Sequence, residues 1–127
     1  MNIKKFSYYH THTDDRGRFC GVVAGGPAWR EVNLFYTNAG MKRGGHYAER
    51  STELVFLLKG EVEVTLRNVR DPDDVVRLTL QPGEGVVIPP FVCRTFVYTR
   101  DGEAIACRDV PLAETGPDVP FDSSSGR

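Results

Sequence analysis

"MKRGGHYAERSTELVFLLKGEVEVTLR", Met41 to Arg67, is the stretch whose reading decides the fold. Its last third alternates: Val62, Val64 and Leu66 fall on one side, Glu61, Glu63, Thr65 and Arg67 on the other. That is the period of a half-buried strand. The run Leu54-Val55-Phe56-Leu57-Leu58 does not alternate, so both of its faces need cover. A lumen on one side and a second sheet or a partner subunit on the other would supply it. A barrel or double-sheet jelly roll with an oligomer contact meets both demands. Directly ahead of the run stand Arg43, His46 and Glu53, groups that a core excludes unless they are partnered. Either they mark an exposed edge, or they face a cavity where chemistry is done.

The same grammar extends outward. Short β-branched and aromatic runs at 30–37, 53–58, 61–67, 75–80, 85–88, 92–98 and 103–109 read as strands, and helical periodicity is almost absent. Between them lie the turn signals Asn38-Ala39-Gly40, Lys59-Gly60, Asp71-Pro72-Asp73-Asp74, Gln81-Pro82-Gly83 and Arg100-Asp101-Gly102. The expectation is an all-β chain with little or no helix. Residues 1–116 form one domain, and the Pro/Ser/Gly-rich segment 117–127 forms a partly mobile tail. No internal repeat is visible.

Composition narrows the classes. A chain of 127 residues with 40% hydrophobic and 26% charged residues suits one globular domain. A formal charge of −1 and scattered Lys and Arg leave no basic footprint, which argues against nucleic acid as a ligand. "MNIKK" leads into no apolar segment, and the Leu54–Leu58 run is too short to cross a bilayer, so neither a signal peptide nor a membrane anchor is expected. Cys20, Cys93 and Cys107 are odd in number and unpatterned, as expected of reduced, buried thiols in a cytoplasmic protein.

Against this background the motifs resemble a family. Cupins place a first motif, G…HxH, then E, then G, beside a second, G, PxG, then H. Here His46, Ala48, Glu53 and Gly60 fall at the first spacing, and Gly83, Pro89, Phe91 and Arg94 at the second. The scaffold glycines and proline are kept, while two of four metal-ligand positions have become Ala48 and Arg94. A divalent ion needs three or four converging donors, and a guanidinium at its centre opposes it. No metal and no cofactor is therefore expected. His10 and His12, ahead of the first clear strand, read as exposed or packing residues.

"DDRGRF" (Asp14–Phe19) resembles the D-x-R-G-x-F signature of dTDP-4-dehydrorhamnose 3,5-epimerases, and "MKRGGHYA" resembles their R-G-x-H-Y. The dTDP-sugar 3,4-ketoisomerases carry D-x-R-G and R-G-x-H-A-H at the same places. The resemblance runs from about Asp14 to Val110 and implies a cupin jelly roll, a homodimer and a nucleotide-linked 4-keto sugar as substrate. It implies proton abstraction beside a ketone, for which imidazole is suited because its ordinary pKa lies near operating pH. His46 matches the family's catalytic histidine, and Arg43 its substrate-contacting arginine. For Arg16 the resemblance implies a nucleotide-binding position, one that a neighbouring subunit could share.

Strand parity adds further candidates. Glu53 shares the lumen side with Val55 and Leu57 and needs a cation or a proton, with Arg94 the expected partner. Tyr98 shares a face with Arg94 and could donate a proton. Asn33, Tyr36 and Tyr47 are candidate contacts for sugar hydroxyls. Two departures stand out: the ketoisomerases' second histidine is Ala48 here, and the epimerases' lysine is Glu53. Four uses stay open. One is a metal-independent epimerase or ketoisomerase of carbohydrate or natural-product biosynthesis. The others are a non-catalytic small-ligand module, a cyclase or lyase, and a metal cupin with an unusual ligand set.

Overall fold

Nine strands and one helical turn make up residues 1–121, the part of the chain that the computed structural model describes. They are β1 (His10–Asp14), β2 (Gly17–Gly21), β3 (Glu31–Thr37), β4 (Lys42–Tyr47), β5 (Glu53–Asn68), β6 (Val75–Leu80), β7 (Gly85–Ile88), β8 (Val92–Arg108), α1 (Leu112–Thr115) and β9 (Val119–Pro120). Two long strands carry the architecture. β5 and β8 pair antiparallel from Glu53↔Arg108 to Asn68↔Val92, and their register slips three times around Lys59. There both strands bend and pass from one sheet to the other. On one side of the bend, β3 and β7 flank them; on the other, β4 and β6 do, with β9 outside β4. The result is a jelly roll of two facing antiparallel sheets. β1 and β2 form a separate hairpin.

The bend explains two differences from the sequence expectation. Lys59-Gly60 and Arg100-Asp101-Gly102 are not turns between separate strands; the ladder runs through both. Gly60 sits at φ +94, and a side chain there would strike the backbone of Asp101. These glycines allow two strands to bend against each other.

The core lies between the sheets. Val62, Val64 and Leu66 are fully buried there with Leu57, Leu80, Val86 and Ile88, as the alternation predicts. The other side of the apolar run is covered in part by the chain itself, since Phe6 and Tyr8 lie against Phe56. Beyond them Val32, Leu34, Tyr36 and Leu58 remain exposed on that face. Of the three free thiols only Cys93 is buried; Cys20 and Cys107 are half-buried. Among the described residues no helix is long and apolar enough to cross a membrane.

β4 has no strand-like pattern, because Gly44 and Gly45 interrupt it. Gly44 passes so close to β8 that a Cβ would collide with the Arg94 carbonyl oxygen. A bulge between Gly44 and His46 then resets which way the following side chains face. After β8 the chain makes the single turn α1 and folds back onto β4. Val119 pairs with Tyr47, Pro120 pairs with His46, and the Phe121 amide donates to Gly45 O at 2.9 Å. Of the segment assigned to the tail from the sequence, Val119–Pro120 are strand-paired and Phe121 is hydrogen-bonded to β4; 122–127 lie outside the described residues.

Candidate active site

Alternation sets the site. Glu53 and Val55 on β5, Arg94, Phe96, Tyr98, Ala104 and Ala106 on β8, and Phe35 on β3 all point between the sheets. Together with Arg43 and His46 of β4 they enclose a cavity of about 70 Å³. A wider recess of about 350 Å³ adjoins it through Phe35, His46 and Glu53, and is bordered by Asn33, Arg108, Pro117 and Asp118. Small alanines at 104 and 106 leave room where larger residues would fill the lumen.

At the junction stands Asp118, delivered by the returning C-terminal segment. Its Oδ2 is 3.2 Å from His46 Nδ1, and Arg108 donates Nη2 to Oδ1 at 3.2 Å and Nη1 to Oδ2 at 3.3 Å. Arg108 is further fixed by its Nε bond to Val110 O at 3.3 Å. The His46 imidazole first, then Arg108 and Arg94, outweigh burial and hold the Asp118 carboxyl down at about 2. It is therefore an anion throughout the neutral range. His46 Nδ1 is buried 3.2 Å from this carboxylate, within ion-pair reach but off hydrogen-bond alignment, while 40% of the side chain stays open.

Deeper in, Arg94 donates Nη1 to Glu53 Oε1 at 3.1 Å and stands 3.7 Å from Asp118 Oδ2. This is the pair expected from the motif spacing. Burial pushes the Glu53 carboxyl up, against the pull of Arg94 and Arg108. Arg94 is 1% exposed, and its Nε and Nη2 have no hydrogen-bond partner among the described residues. The Tyr98 phenol is raised by burial, with Thr37 and Arg43 pulling the other way.

The fold brings six of the nine sequence candidates to this cavity or its recess: His46, Arg43, Glu53, Arg94, Tyr98 and Asn33. Arg43 crosses the Phe35 ring at 5.2 Å and donates Nε to Thr37 Oγ1 at 2.6 Å and Nη2 to Tyr36 O at 3.1 Å. The Asn33 amide is engaged with Glu31 at 2.7 Å.

Three candidates lie elsewhere. Tyr36 is on the outer face of β3, 65% exposed, because it has the opposite parity to Phe35. Tyr47 is next to inward-facing His46 and turns outward to pack between Phe91 and Phe121. Arg16 closes the β1–β2 hairpin: Asp14 accepts from its amide at 3.0 Å and from its Nη2 at 2.6 Å, and its side chain is 85% exposed. Within the chain the motif forms the hairpin turn, away from the cavity.

Asp118 and Arg108 were not anticipated. Arg108 was findable, since it continues the inward parity of Ala104 and Ala106. Asp118 carried no signal, lying in a Pro/Gly-rich stretch with no motif around it.

The side chains do not suit a resident metal. Of the four cupin ligand positions, His46 and Glu53 keep donors, Ala48 has none, and Arg94 brings a permanent cation already bonded to Glu53. Among the described residues no three His, Cys, Asp or Glu side chains converge on one point.

Residues 12–105 match the family model of the polysaccharide biosynthesis C-terminal domain. The jelly roll is similar to that of the dTDP-4-dehydrorhamnose 3,5-epimerase of Sulfolobus tokodaii (TM-score 0.75, 22% identity, 85% of this chain and 70% of that one). It is similar also to a 3,4-ketoisomerase of Helicobacter canadensis (TM-score 0.74, 16% identity, 87% and 85%). The TDP-quinovose 3,4-ketoisomerase of Campylobacter jejuni matches over 98% of this chain and 95% of its own, at TM-score 0.80 and 12% identity. At such identities the likeness establishes the fold, the cupin jelly roll of these epimerases and ketoisomerases. No curated protein matches the chain in sequence.

Proposed function

The chain belongs to the polysaccharide biosynthesis C-terminal domain family, and from that premise we propose that it is a metal-independent isomerase or epimerase of a nucleotide-linked 4-keto-6-deoxy sugar. The observation that carries the reading is the His46–Asp118 pair at the junction of a small, largely apolar cavity and an open recess. The names of the fold's relatives, dTDP-sugar epimerases and ketoisomerases, point to the same substrate class.

The chemistry needs no redox partner. A ketone acidifies its neighbouring C–H bonds. His46 takes the carbon-bound proton, the C–H electron pair moves into a new C=C bond, and the carbonyl π pair moves onto oxygen. Return of a proton to the opposite face inverts the centre; in ketone migration the enolate oxygen and the former carbonyl carbon each take a proton, and the hydroxyl on the deprotonated carbon loses its own as its C=O bond forms. The Asp118 carboxylate faces Nδ1, which orients that proton inward and leaves Nε2 as the base. It also stabilises the imidazolium that forms. Tyr98, kept protonated by burial, lines the cavity as a donor for the return step. Arg43, on the cavity wall, suits a sugar or phosphate oxygen.

The test is solvent exchange. In D₂O the protein should place deuterium beside the ketone of dTDP-4-keto-6-deoxyglucose, and His46→Ala should slow this by about 10²–10⁴-fold. An unchanged rate in the variant, or no exchange into any 4-keto sugar nucleotide by the native protein, overturns the reading. Tight binding without exchange would instead indicate a non-catalytic ligand module, the use that Ala48 and Glu53 at family catalytic positions favour. We propose further that the exposed apolar face of Val32, Leu34, Tyr36 and Leu58 seats a second copy of the chain. Three free thiols suit a reducing, cytoplasmic setting.

A further inference from the structure

Three arginines approach the site, and their bonding differs. Arg108 spends Nη1, Nη2 and Nε on Asp118, Thr115 and Val110. Arg43 spends Nε and Nη2 on Thr37 and the Tyr36 carbonyl. Arg94, the most deeply buried of them, spends only Nη1 among the described residues, on Glu53; its Nε and Nη2 are buried with no partner among them. Buried guanidinium donors left unpaired are unfavourable, and folded proteins rarely keep them without a use. Arg94 borders the small cavity; its two unspent nitrogens are covered in this conformation, so a bound oxygen would meet them once the guanidinium turns toward the cavity.

Position says which oxygen. Arg94 and His46 are direct partners across the β4–β8 ladder, and both approach the same Asp118 oxygen, at 3.7 and 3.2 Å. The base and the unpaired donors therefore lie side by side. In a ketone the proton to be removed and the oxygen that gains charge are likewise on adjacent atoms. We propose that Arg94 is the enolate-stabilising residue: its Nε and Nη2 donate to the ketone oxygen of the substrate, most strongly as that oxygen becomes an enolate. Glu53 is then a positioning residue, holding Nη1 and so keeping the guanidinium beside the cavity wall. In this place metal cupins carry a ligand, and the guanidinium takes up the electrophile's task with a charge that no pH near neutrality removes. The inference rests on the keto-sugar reading above and names the group that would make its chemistry possible.

Two measurements test it. Arg94→Gln alone strands Glu53 in the core, so the informative variant is the charge-free pair Glu53→Gln/Arg94→Gln, with its fold checked by circular dichroism. If the native protein exchanges deuterium into a 4-keto sugar nucleotide, the folded double variant should do so about 10²–10³-fold more slowly in kcat, with dTDP affinity changed by less than about threefold. A folded double variant within about threefold of the native rate overturns the inference and leaves the proposed function standing. The second measurement does not need turnover. The Arg94 Nε–H signal, assigned by its loss in Arg94→Lys, should shift on adding dTDP-4-keto-6-deoxyglucose and stay in place with dTDP alone. Should the native protein catalyse no exchange, a ketone-specific shift would keep the donor site while the proposed reaction falls. The absence of a shift with either compound overturns the inference.

Discussion

At the scale of single residues, Asp118 joins function to stability. Its carboxyl is held at about 2 against an ordinary 3.8, so the native state binds fewer protons than the unfolded chain between those values. The stabilisation, about 2 kcal/mol, is complete above the ordinary value and is lost as pH falls through that window. Melting curves of the native protein and Asp118→Asn should therefore differ most near neutrality, with the native protein the more stable. The gap should close as pH falls from about 4 to 2. The same substitution should lower kcat for exchange more than it changes KM, because it leaves the binding surface and removes the imidazolium's counter-ion. In the core, Leu57 is fully buried beside the bend, and Leu57→Ala should cost about 2–5 kcal/mol in chemical denaturation.

At the scale of elements, β4 and the returning segment decide whether a site exists. Gly44 lies at φ +99 with the Arg94 backbone against it, so Gly44→Ala should destabilise by about 2 kcal/mol or more and displace His46 from its ladder position. Thermal melting and the exchange assay would report both. β9 and its neighbours hold the backbone of the segment that Arg108 grips through the Asp118 side chain: Phe121 bonds to Gly45 and packs on Tyr47, Tyr47 packs on Phe91, and Arg70 stacks over Phe91 at 3.8 Å. Phe91 occupies a left-handed position at φ +64, where the cupin motif has glycine, and its two aromatic-face contacts help to hold it there. Tyr47, expected at the substrate, thus acts as a clamp on the strand that brings Asp118. Truncation after Gly116 should leave the jelly roll's far-ultraviolet dichroism intact and abolish exchange.

At the scale of the whole molecule, the two sheets differ in how they meet solvent. The face that carries Val32, Leu34 and Tyr36 is covered near Phe56 by the N-terminal segment and open elsewhere. If a second copy covers it, Leu34→Glu/Tyr36→Glu should convert the dimer to a monomer in light scattering while leaving the fold unchanged. A native chain that is monomeric at the same concentrations removes the proposal.

Alternation along β5 and the cupin spacing made the jelly roll, its lumen and the Glu53–Arg94 pair legible in the amino-acid order. Each is a short-range regularity, because a strand's period of two fixes which residues share a face without knowledge of its neighbours. Parity could not choose for Tyr36 and Tyr47, where the face that becomes the inside depends on which sheet covers the strand and on the bulge at Gly44. Nor could it find Asp118. That carboxylate reaches His46 because a segment without a pattern of its own folds back across the open edge of β4 and is held there by backbone pairing and aromatic packing. A contact between residues 72 positions apart in the chain is created by packing free energy summed over the whole roll, and no local stretch of sequence carries it.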